Sequence, residues 1–225
     1  MTTTTTRILH VLVLASSWRA LAAEPEHWGS TVTISVYDIA RIGSKTLWRA
    51  EDLATRIFIT GDIDARWTMA NVSSATDLVS DFSPVTGNEC AKPFQSAFVQ
   101  VQILRHAPSG FAPQALASSL PCAQRGAQVS IYADRVELVS RGTLASFYRV
   151  LGYTLAHELG HVFLTSTAHD QSGLMKGMWS KGDWQRAAVA IIPFTADQGK
   201  RMTGRLDRSE PPAPERPYVL ITILK

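Results

Sequence analysis

The chain lacks any run of basic residues: its 22 Lys and Arg are scattered among 19 Asp and Glu, for a net charge of +3. With no continuous positive stripe to track phosphates, nucleic acid is excluded as an expected partner. Past the N-terminal segment no apolar run approaches the roughly 20 residues that span a bilayer, so no stable membrane insertion is expected. There are only two cysteines, Cys90 and Cys122, and neither sits in a C-x-x-C pair, which removes a thiolate zinc site. No internal repeat is present, which argues against a solenoid. What remains is a chain of 225 residues, 45% hydrophobic and 18% charged, sufficient for one substantial core.

Residues 1–23 carry the marks of an export signal. Arg7 supplies a thin positive start, residues 8–15 are apolar, and Ala20-Leu21-Ala22 offers small residues at the positions a signal peptidase inspects. Cleavage after Ala22 or Ala23 is expected, leaving residues 24–208 as one domain in a secreted or periplasmic protein. Cys90 and Cys122 suit that compartment, where an even pair commonly forms a disulfide; two unpaired thiols are the alternative. Residues 209–225 begin with SEPPAPERP and form a proline-rich, extended C-terminal tail.

Between these ends the periodicity predicts an α+β domain. Residues 31–37 (TVTISVY), 63–69 (IDARWTM), 97–104 (AFVQVQIL) and 128–133 (QVSIYA) alternate apolar and polar side chains as half-buried strands do. Residues 44–59 repeat apolar positions at helical spacing and stop before Gly61, predicting a helix packed on the sheet. Residues 71–93, rich in Ser, Thr, Asp and Pro, predict a loop. A long buried helix is expected over 143–164, a shorter one over 183–191 stopped by Pro193, and a last one capped by Thr195 and running to Leu206.

The long helix holds the residues that carry chemistry. His157 and His161 are four apart, so their imidazoles leave one face and converge on one metal ion, for which zinc suits the donors. Glu158 lies one position round, placed to act on a water at the metal without taking a ligand position. A catalytic zinc takes three protein ligands and keeps a position open, so a further donor is required beyond the helix. His169 is the candidate, with Asp170 as a substitute ligand, a hydrogen-bond acceptor that orients one, or a cap of the turn. Trp179 is expected in the core or in a cleft wall. Asp134 and Arg135 are expected to form a structural ion pair or cap, with His27 and His106 on the surface.

The motif resembles the metzincin branch of the zincin metallopeptidases, whose pattern is H-E-x-x-H-x-x-G-x-x-H followed by a methionine turn. This chain departs from it: Leu164 stands at the glycine position, Thr167 at the third-histidine position, and His169 arrives two residues late. The run HELGHVFLTSTAHDQSGLM, residues 157–175, is closer to a group of exported bacterial proteins with HExGHLLLGSxAHSxxGIM. They share seven residues between the second and third histidines. The segment Ile131-Tyr132-Ala133-Asp134-Arg135-Val136-Glu137 is similar as well, and the likeness covers residues 129–206.

That resemblance implies a zincin-like α+β fold. A twisted mixed sheet of about four strands would pack on a backing helix and an active-site helix, with a small helical C-terminal part. It also implies a Zn2+ cofactor, peptide or protein substrates, Met175 as an apolar floor beneath the metal, and an extended substrate laid along the strand nearest the active-site helix, here 97–104 or 128–133. The group's glycine at the helix end is Thr165 in this chain, so the turn toward His169 must be made with a side chain present. The function expected is zinc-dependent peptide hydrolysis with Glu158 as general base. The competing readings are a catalytically inactive zinc-binding interaction protein and a metal-dependent hydrolase of another amide.

Overall fold

The computed structural model describes residues 30–70, 98–120 and 127–206. The export segment, the predicted 71–93 loop, Cys90 and Cys122 with their expected disulfide, and the proline-rich tail lie outside the described residues.

Five strands form one mixed sheet in the order β2-β1-β3-β5-β4: β1 (Ser30–Asp38), β2 (Ile63–Met69), β3 (Phe98–Leu104), β4 (Ala117–Leu120) and β5 (Ala127–Tyr132). β1 pairs in parallel with both β2 and β3, and β3 pairs in parallel with β5. Only β4 runs antiparallel, against β5, with Ser118 opposite Ser130 and Ser119 opposite Val129. Alternation sets the core face: Val32, Ile34, Val36, Val99, Val101, Ile103, Val129 and Ile131 are all fully buried.

Helix α1 (Ser44–Ile59) follows β1 and buries Leu47, Ala50, Leu53, Ala54, Ile57 and Phe58. Its bounds and those of β2 are as the sequence pattern predicts. α2 (Ala133–Gly142) leads directly out of β5, and α3 (Phe147–Leu164) is buried along nearly its whole length, from Val150 to Ala156 and from Leu159 to Leu164. A helix that is apolar all round belongs in the middle of a domain. α3 packs against α1, α2, β4 and β5, and also against the two C-terminal helices α4 (Lys181–Val189) and α5 (Ala196–Leu206). The α1–α3 contact is tight at Gly152, where an added Cβ would stand 2.8 Å from the carbonyl oxygen of Ala50. No helix among the described residues is long and apolar enough to cross a membrane.

The α+β class is as expected, with corrections of detail: α2 forms where no helix is expected, and the helix expected over 183–191 is Lys181–Val189. The sheet has a fifth strand, β4, whose ASSL sequence has no β-branched residue and owes its conformation to pairing with β5. The long helix starts at Phe147, because Thr143 is extended and Leu144 is turned to solvent although the apolar spacing continues through them. Neither 97–104 nor 128–133 offers an edge for a substrate: β3 is paired on both sides by β1 and β5, and β5 by β3 and β4. Among the described residues the edge strands are β2 and β4, and β4 is the one packed against α3.

Candidate metal and catalytic site

His157 and His161 leave the same face of α3, and their Nε2 atoms stand 3.1 Å apart. His169 comes from the following loop and brings its Nε2 to 3.2 Å from that of His161. One ring nitrogen from each of the three lies within 4.8 Å of the others. The chain therefore brings together the three histidines singled out by sequence, including the one at unusual spacing.

The loop reaches back through a left-handed residue. Thr165 sits at φ 48° and ψ 48°, its N–H donates to the Val162 carbonyl at 3.0 Å, and the Ser166 N–H donates to the His161 carbonyl at 3.1 Å. This is a Schellman closure made without glycine. A β-branched residue is strained there, and the Thr165 hydroxyl is buried without a partner. Thr165→Gly should accordingly stabilise the protein by about 1 kcal/mol after the entropy cost of glycine. A thermal melt checks this, the expected rise in Tm being about 2 to 4 °C.

The protonation pattern of the rings shows what the cluster fits. His157 Nδ1 lies 2.8 Å from the Leu174 carbonyl, and His161 Nδ1 lies 2.8 Å from the Ser166 carbonyl. A carbonyl only accepts, so both Nδ1 atoms carry the proton and both Nε2 atoms present lone pairs. Burial pulls His157 down to about 4 and lowers His161 as well, which keeps both rings neutral at neutral pH. Lone pairs that close repel one another unless a cation lies among them. Nitrogens about 2.0 to 2.1 Å from a tetrahedral zinc are themselves roughly 3.3 Å apart, close to the 3.1 and 3.2 Å that separate His161 Nε2 from the other two.

Glu158 lies beside the cluster on the same helix, and burial pushes its carboxyl up to about 7 against a downward pull from the Ser119 hydroxyl. Ser119 belongs to β4, so this edge strand and the glutamate meet. Both line a cleft of about 730 Å³. One wall of that cleft is Trp179, whose ring centroid is 5.2 Å from Tyr153 and 4.6 Å from Trp184. Trp179 thus packs on the interior and faces the cleft.

Met175 is buried against α3: a Cβ on Gly160 would fall 2.6 Å from its sulfur, which is the close approach that Gly160 leaves open. The Asp170 carboxylate is not part of the imidazole cluster and accepts a hydrogen bond from Gln198. Behind the cleft wall, Asp183 closes a capping box with Ser180 and receives Lys176 Nζ at 2.7 Å. Lys176 beside it holds its carboxyl well below the usual carboxylate range.

The charged residues near the end of β5 serve structure, as expected, by a cap and not by an ion pair between them. Asp134 lies 3.0 Å from His106 Nδ1, and its Oδ1 accepts the Arg135 N–H at 2.8 Å in the first turn of α2, with no ion pair between the two side chains among the described residues. Arg135 ties down the loop before β4, with its Nη1 donating to the carbonyls of Ala112 and Ala115 at 2.6 and 2.7 Å. Sequence reasoning missed Ser119, because β4 has no strand signature, and missed Gln198, although Thr195-Ala196-Asp197-Gln198 has the spacing of a capping box.

No family model matches the chain, and no curated protein does. Among solved structures it is similar to a zinc-dependent peptidase from Methanocorpusculum labreanum, at 10% identity over 75% of this chain and 99% of that one, with a TM-score of 0.48. It is also similar to an archaemetzincin from Methanopyrus kandleri, at 14% identity over 80% and 98% of the two chains, with a TM-score of 0.46. Metalloproteinase-II from Bacteroides fragilis matches at 17% identity over 79% of this chain and 53% of that one, with a TM-score of 0.43. These likenesses are loose in both backbone and sequence.

Proposed function

We propose that this protein is an exported zinc-dependent metallopeptidase, with His157, His161 and His169 as the zinc ligands and Glu158 as general base. The observation that carries the reading is the convergence of three imidazole nitrogens, two of them proton-free at 3.1 Å, beside a buried carboxylate in an open cleft. Export rests on the N-terminal segment alone.

His157, His161 and His169 would hold the zinc, which would supply a Lewis acid for a water and the scissile carbonyl. Glu158 takes the proton from the attacking water and returns it to the leaving amine. The edge of β4, unpaired among the described residues, lines the same cleft and offers backbone groups to an extended peptide, which would add to the sheet as a further strand. Leu116, Leu138, Val139, Met178 and Trp179 give the cleft apolar walls, and Glu158 is its only carboxylate among the described residues. An unstructured peptide with bulky apolar side chains at the cleaved bond fits those walls.

Purified protein is expected to carry one zinc per chain and to cleave a peptide with Leu or Phe at the scissile bond faster than its Asp counterpart. His169→Ala should lose the metal. A parent protein without stoichiometric zinc would defeat the reading. Bound zinc with no turnover across a broad peptide library would favour the inactive zinc-binding alternative.

A further inference from the structure

We propose that Gln198, on helix α5, is a positioning residue for the third imidazole and acts through Asp170. The proposal rests on the assignment of the three histidines as metal ligands and asks how the least supported of them is held in place.

His157 and His161 each have a carbonyl that fixes the ring, from Leu174 and Ser166 respectively. His169 Nδ1 has no such partner among the described residues, and His169 is exposed at the end of a loop. Ligand histidines are normally oriented by a hydrogen bond to the far ring nitrogen. For His169 that role falls to its neighbours. On one side the ring lies against Gly177, where an added Cβ would stand 2.8 Å from its Cγ. On the other side Asp170 follows directly in the chain. Its N–H donates to the Met175 carbonyl at 2.9 Å and its carboxylate is held by Gln198 Nε2.

Gln198 is only 2% exposed. Its Oε1 accepts from the Thr195 N–H at 2.8 Å, and its own N–H donates to Thr195 Oγ1 at 3.2 Å, closing a capping box at the start of α5. The Thr195 N–H only donates, so it fixes which end of the amide is oxygen and leaves Nε2 for Asp170. A glutamate in this position would complete the capping box equally well. It would bring no N–H for Asp170 and would set two carboxylates face to face. The helix alone does not require an amide at position 198; the bond to Asp170 does. Capping of α5 and seating of His169 thus share one side chain.

The test is zinc affinity, measured on the full chain by competition with a chromophoric chelator, with melting of the zinc-free protein alongside. Gln198→Glu should weaken zinc binding about 10-fold or more, within the range for groups that orient metal ligands. Adding Asp170→Asn reverses donor and acceptor, so the double variant should return to within about threefold of the parent, on the same scale. A role confined to folding predicts no such rescue. Asp170→Ala leaves the capping box untouched and should weaken zinc binding with little change in the zinc-free melt, which decides the matter if Gln198→Glu does not fold. The proposal is overturned if Gln198→Glu binds zinc as the parent does, or if the double variant binds no better than Gln198→Glu. A parent that binds no zinc defeats the ligand assignment itself, a result distinct from either.

Discussion

Glu158→Gln is expected to keep its zinc and lose peptide hydrolysis by about a thousandfold, in the middle of the range for removing a general acid–base group. The substitution preserves shape and leaves His157, His161 and His169 unchanged. Glutamine has no carboxylate to take a proton from water, so the loss should fall on kcat with KM little altered. Zinc content by atomic absorption and steady-state kinetics on one apolar peptide separate the two effects. Hydrolysis that survives in this variant would remove Glu158 from the mechanism.

The largest stability effect is expected at Gly152, away from the histidines on the side of α3 that meets α1. An added Cβ would stand 2.8 Å from the Ala50 carbonyl oxygen and 3.0 Å from Leu53 Cδ2. The nearer atom is backbone, so the contact is relieved only by moving the two helices apart. Gly152→Val should destabilise by about 3 kcal/mol, at the upper end for overpacked cores, and lower Tm by roughly 6 to 12 °C. Because α3 carries three of the proposed functional residues, zinc affinity should weaken alongside. A melt within 2 °C of the parent by the same conversion would show that α1 yields easily.

The elements legible in the sequence are those whose own pattern decides their structure. α1 shows an apolar stripe ending before Gly61, and the pair of histidines four apart needs only the knowledge that α3 is a helix. The elements that were hidden depend on neighbours. β4 is four residues of weak strand former held by β5. α2 begins straight from Tyr132 with no side-chain cap to announce it. At the site, His169 was legible as a required third donor, whereas the Ser119–Glu158 contact and the Asp170–Gln198 bond join segments far apart in the chain. Their roles arise from tertiary contact and leave no local signature.

The turn at Leu174 and Met175 distributes selective pressure unevenly. Leu174 serves His157 through its carbonyl, and Met175 serves Asp170 through its own. Any buried apolar side chain that preserves the backbone path would deliver both carbonyls. Gly177 and Gln198 have no comparable latitude, since what they supply is an absent Cβ against the His169 ring and a particular N–H. Drift among relatives of this chain should therefore be permissive at the methionine and strict at a glycine and a glutamine that lie outside the metal-binding motif.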